Sequence, residues 1–71
     1  MLTVRRQYKV ERREIMYLRA TLESYDGMAV VRTIDPGEAV IEVLIAPGCQ
    51  DHVEELIADL RNRERIKLDA L

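Results

Sequence analysis

The chain has 71 residues, 48% apolar, 34% charged and 4% aromatic, with eleven Lys and Arg against thirteen Asp and Glu. A chain this short holds one hydrophobic core, so residues 1–71 read as a single domain. A net charge of −2 is too close to balance for the basic footprint of a nucleic-acid-binding protein.

The apolar residues fall in short periodic groups, with no run near the roughly 18 to 20 residues that cross a bilayer. Met1-Leu2-Thr3 leads straight into charged, alternating sequence with no signal-peptide pattern. A cytoplasmic protein with no membrane and no nucleic-acid partner is the expectation. Cys49 is the single cysteine and excludes an internal disulfide. A domain of about 60 residues buries only about 60% of the surface its unfolded chain exposes. With no disulfide and no metal cluster in sight, oligomerisation is the common remedy left.

Thr3 to Val10 alternates, with Val4, Tyr8 and Val10 on one side and Thr3, Arg5, Gln7 and Lys9 on the other, the period of a half-buried strand. Arg6 interrupts the apolar side. From Glu11 the period changes: Ile15, Leu18, Leu22 and Tyr25 recur at helical steps and predict an amphipathic helix of about four turns. Asp26-Gly27 closes it, glycine supplying the left-handed conformation past a helix end.

Met28 to Ile34 and Glu38 to Ala46 are β-rich runs joined by Asp35-Pro36-Gly37, with Pro fixing φ and Gly permitting a positive φ. Proline cannot start a primed two-residue turn, so a longer or bulged hairpin is expected. Pro47-Gly48 ends the second run. Val53, Leu56, Ile57 and Leu60 then define a second amphipathic helix, with Asp51, Glu54 and Glu55 near its start and Arg61 and Arg63 near its end, as the helix dipole prefers. Ile66, Leu68 and Ala70 alternate with charged residues and predict a short last strand.

The order β-α-β-β-α-β is the split βαβ arrangement of an α+β, ferredoxin-like fold: a four-stranded antiparallel sheet with two helices on one face. In the third strand Ala39, Ile41, Val43 and Ile45 form one apolar side, while Val40, Leu44 and Ala46 leave only Glu42 polar on the other. The second strand splits Met28, Val30 and Ile34 from Ala29 and Val31. A sheet face open to water alternates more cleanly than this. The helix-free face is therefore expected to be partly covered, most simply by another copy of the chain. Charge is uneven: residues 1–20 hold six Arg and Lys against two Glu, and the remainder is correspondingly acidic.

The stretch Tyr17-Leu18-Arg19-Ala20-Thr21-Leu22-Glu23-Ser24-Tyr25-Asp26-Gly27-Met28-Ala29, preceded by a basic strand and Arg13-Glu14-Ile15, resembles a small bacterial family, domain of unknown function forty-nine eleven. The family's feature is a helix ending in Leu-Glu-x-Tyr-Asp/Glu-Gly, then a hairpin and an acidic second helix. The resemblance covers nearly all of the chain. It implies a stand-alone domain of ferredoxin-like or ACT-like topology and brings no activity with it.

Function must come from a site rather than from the fold. An iron–sulfur cluster needs several thiolates, and a copper chaperone needs paired cysteines where this chain has Val10-Glu11-Arg12-Arg13. An RNA platform needs several strand aromatics, and only Tyr8 lies on a predicted strand. No glycine precedes Gly27, which removes the anion loop of an acylphosphatase-like enzyme. ACT-like domains bind effectors at subunit interfaces, many through a glycine after the first strand; Glu11 and Arg12 stand there instead.

Cys49 and His52, one helical turn apart, are the reactive-looking pair, and a thiol near a helix N-terminus can be activated. Two ligands fall short of the three or four that zinc takes, and Cys49 aligns with Val53 and Leu56, as a small half-buried apolar residue would. Tyr17 falls opposite the apolar stripe and is expected to be exposed near Glu14 and Thr21, where it reads as a surface aromatic or a partner contact. Tyr25 continues the stripe, and Asp26-Gly27 reads as a helix stop. No acid, base and nucleophile cluster in the sequence, so no catalytic, cofactor or metal residue is assigned. The expectation is a non-enzymatic regulatory or interaction module that forms a homo-oligomer, a dimer first, through its sheet. The alternative is an ACT-like sensor taking a small-molecule effector, such as an amino acid, at a subunit interface.

Overall fold

A computed structural model of the chain describes residues 3–24 and 27–71. In chain order the elements are strand β1 (Val4–Val10), a 3-10 turn (Arg12–Glu14), helix α1 (Ile15–Leu22), strands β2 (Ala29–Asp35) and β3 (Val40–Ile45), helix α2 (Gln50–Asn62) and strand β4 (Leu68–Ala70). All pairings are antiparallel and the strand order is β2-β3-β1-β4. This is an α+β fold, loosely ferredoxin-like: β3 lies between β1 and β2, and β1 lies between β3 and β4.

β3 forms because a β-branched and leucine run, interrupted only by Glu42 and without Gly or Pro, suits a central pleated strand. Its register places Ile41 beside Tyr8 and Thr33, Val43 beside Arg6 and Val31, and Ile45 beside Val4 and Ala29. Those rows look toward the helices. Leu18 and Leu22 of α1, and Val53, Ile57 and Leu60 of α2, are buried against Ile41, Val43 and Ile45 in one core that also takes in Val10 and Leu68. Helical spacing gives each helix one apolar stripe, so both cover the same side of the sheet.

The first helix departs from the four turns its periodicity suggests. It begins as a 3-10 turn, in which Glu14 N–H donates to the Glu11 carbonyl at 2.9 Å, and its α-helical part ends at Leu22. Ser24 Oγ donates back to the Thr21 carbonyl at 2.7 Å, a local bond that competes with helix continuation. The Glu23 carboxylate turns to β2 instead. Tyr25 and Asp26, expected to finish the stripe and stop the helix, lie outside the described residues; Gly27 does take a left-handed φ of 72°.

Three further expectations are corrected. Met28 does not share a side with Val30: it precedes β2 and is buried, as are Ala29 and Val31, whereas Val30 is exposed. In the hairpin the positive φ falls on Ala39, at 55°, and not on Gly37. The register slips between Thr33 and Asp35, giving β2 an extra residue at Ile34, and Asp35 Oδ1 accepts the Glu38 N–H at 3.1 Å. The bulge and this side-chain turn displace the left-handed residue to the end of the loop, and β3 starts at Val40 rather than Glu38. Finally, the last strand is only Leu68–Ala70: Ile66 is buried ahead of it, its N–H bonded to the Leu60 carbonyl at 3.0 Å after a left-handed Arg65.

Candidate functional site

The face of the sheet away from the helices is built by the alternate residues. One row across it holds Val30, Leu44 and Arg5, the next Arg32, Glu42 and Gln7, and a third Val40, Lys9 and Asp69. It divides lengthwise. The β2–β3 half is apolar around the Arg32–Glu42 pair, with Val30 52% exposed, Leu44 and Val40 half-buried, and Ile34, in the bulge, 44% exposed. The β1–β4 half carries Arg5, Gln7, Lys9 and Asp69.

Glu42 is only 6% exposed although no helix covers it. It stands mid-strand with neighbours on both sides, accepting a bond from Gln7 Nε2 at 3.3 Å and facing Arg32 across the β2–β3 pair. Neither Arg5 nor Arg32 has an ion-pair partner among the described residues. One face thus offers two guanidiniums and the Lys9 ammonium, the carboxylates of Glu42 and Asp69, and a strip of apolar side chains.

The edge beside this face is blocked at its middle. β2 is the outermost strand, yet the Val31 N–H donates to Glu23 Oε2 at 2.8 Å and the Val31 carbonyl accepts from Arg19 Nη2 at 2.9 Å. Arg19 and Glu23, themselves within 4.0 Å across one helical turn, fill the place where another strand's main chain would pair. A strand edge left open invites pairing with other chains; here Arg19 and Glu23 block it at Val31. The sequence showed these two only as polar residues on a helix, and Arg19 at i with Glu23 at i+4 was the available signal.

The residues singled out from sequence do not converge. Cys49 is half-buried at the start of α2 and packs against the core, as its wheel position suggests. His52 is exposed and lines a groove with Met28, Glu55, Leu56 and Asp59, to which Cys49 does not contribute. Among the described residues, no three His, Cys, Asp or Glu side chains gather to hold a metal ion. Tyr17 is exposed as expected, but its hydroxyl donates a short bond to Glu64 beyond α2, a partner that sequence spacing did not point to. That bond favours the neutral phenol and raises the Tyr17 pKa. No helix among the described residues is long and apolar enough to cross a membrane.

Fold and face together define a small α+β domain with two helices on one side of a four-stranded antiparallel sheet and a mixed apolar and charged surface on the other. The chain belongs to the family described as Domain of unknown function (DUF4911), whose model matches residues 8–63. No curated protein and no solved structure matches it.

Proposed function

We propose that this domain is a non-enzymatic, cytoplasmic interaction module that self-associates through the open face of its sheet, a second copy of the chain being the occupant. The observation that carries the reading is the self-complementary make-up of that face. An isologous contact lays a surface patch on the same patch of its partner, so a patch that mixes both charge signs with apolar area can match itself. The face carries both signs, Arg5, Arg32 and Lys9 with Glu42 and Asp69, and Val30, Val40 and Leu44 supply apolar area beside them. The Arg19–Glu23 block on β2 favours face over edge as the route of association.

An effector-sensing role at the junction of β1 with the first helix has less support. Arg12 Nη2 donates to the Gly37 carbonyl at 3.1 Å and Glu11 lies 3.5 Å from Arg13, so side chains already occupy that place. Light scattering at low micromolar concentration tests the leading reading: the native chain is expected to be a dimer and Val30→Glu a folded monomer. A native chain that stays monomeric removes the proposal. A thermal-shift screen with amino acids and nucleotides separates the alternative, because a ligand that binds only the native state raises its apparent stability.

A further inference from the structure

On the helix side of the sheet, away from the open face, α2 and the β1–β4 edge form an open surface groove of about 310 Å³ lined by Arg6, Tyr8, Glu54, Ile57, Arg61 and Ala70. Its volume lies at the small end of ligand sites, which run from roughly 300 to 1,000 Å³. β1 contributes Arg6 and Tyr8 from alternate positions on one side of the strand, and α2 contributes Glu54, Ile57 and Arg61 at helical steps, so the regular elements bring these groups together.

Arg61 is held in place. Its Nε and Nη2 both donate to the Leu68 carbonyl, at 2.8 and 2.6 Å, and its guanidinium carbon lies 5.6 Å from the Tyr8 ring centroid. It has no carboxylate partner among the described residues, and the fork engages a single carbonyl, leaving further N–H groups without that partner. Among the described residues Arg6 reaches only Glu54, at a long 3.4 Å, and Glu54 divides its Oε1 between Arg6 and Gln50 Nε2, at 3.3 Å. The Tyr8 ring is buried, but its hydroxyl makes no hydrogen bond among the described residues and is not sealed inside, so it remains accessible from the groove. Burial keeps this phenol protonated, its pKa raised against the opposing pull of Arg61 and Arg6, and so able to donate.

We propose that this groove binds the oxyanion group of a small molecule, a phosphate or a carboxylate, between the guanidiniums of Arg6 and Arg61, with the Tyr8 hydroxyl as a third donor. Planar forks that bond such anions are the usual means of phosphate and carboxylate recognition. Glu54 is the internal anion that the ligand displaces from Arg6. No part of this depends on the open face or on the oligomeric state.

Titration of the ¹⁵N-labelled native chain with inorganic phosphate, and in a second arm with acetate, at constant ionic strength tests the site. Saturable shifts are expected at the Arg6 and Arg61 side-chain resonances and at the Tyr8 backbone, and the arm that saturates first identifies the anion. Arg6→Gln should weaken binding at least tenfold while leaving the amide spectrum of the core unchanged. Glu54→Gln should tighten it several-fold, whereas Glu55→Gln, which removes the same charge from the other side of α2, should change it little. Should neither anion saturate, or Glu54→Gln and Glu55→Gln respond alike, the groove is not an anion site.

Discussion

The two sides of β3 show how differently one strand can be used. Ile41, Val43 and Ile45 are fully buried beneath two helices, each among partners supplied by both neighbouring strands. Val40, Glu42 and Leu44 alternate with them on the side no helix covers, where only strand neighbours provide shelter. The first side holds the fold together. The second is sheltered in its middle and apolar along one half, a distribution that stability of the lone domain does not require.

The largest consequence of that contrast lies in the core. Ile45→Ala should cost about 2–5 kcal/mol in unfolding free energy, from lost burial and the cavity left behind. Leu44→Ala, one residue away on the open side, should cost about 1 kcal/mol or less in dilute protein, because the side chain is only half-buried. Urea unfolding of both variants measures the difference. Equal costs would mean that the two sides are equally packed in the lone chain.

Next comes the edge of β2. Glu23→Ala leaves the Val31 N–H without its carboxylate acceptor, and Arg19→Ala frees the carbonyl; each should cost about 1 kcal/mol. The double variant should also associate slowly through the uncovered edge, visible as growing light scattering. If it stays as well dispersed as the native chain, Arg19 and Glu23 do not guard the edge.

Val30→Glu should have a smaller effect on folding, within about 0.5 kcal/mol, because the position is largely exposed. Its thermal unfolding at low concentration should match the native chain even as association is lost. Loss of both together would place Val30 in the fold rather than in an interface.

The smallest effects concern the tyrosines. Burial raises the Tyr8 pKa and the bond to Glu64 raises that of Tyr17, so both phenols ionise above the ordinary value of 10. Their contribution to stability is intact below that value and is lost as pH climbs through the folded-state pKa. Absorbance at 295 nm should show Tyr17→Phe removing one late-titrating group; an early loss instead would argue against the bond to Glu64.

Periodicity made the helix-facing side legible. Ala39, Ile41, Val43 and Ile45 sit two residues apart, as do Val4, Tyr8 and Val10 with Arg6 intervening, and α2 follows from Val53, Ile57 and Leu60 at helical steps. All are properties of local geometry. What escaped depends on long side chains and distant partners: Arg19 and Glu23 reaching Val31, Arg61 reaching Leu68, Tyr17 reaching Glu64. Local competition also decided cases that pattern alone misjudged. Ser24 bonds back to Thr21 and α1 ends at Leu22, while the bulge at Ile34 moves the positive φ from Gly37 to Ala39. The open face was legible in its composition but not in its division, because which strands lie side by side is set by topology. The oxyanion groove joins β1, α2 and β4, and no spacing within one element points to it.

The most direct test of the open face as a contact between copies is isotope-filtered NMR on an equal mixture of labelled and unlabelled chain. Intermolecular contacts are expected at the methyl groups of Val30, Val40 and Leu44 and to be absent at those of Ile41, Val43 and Ile45. Finding no intermolecular contact at these open-face methyls, or finding such contacts only along α2, would contradict the account.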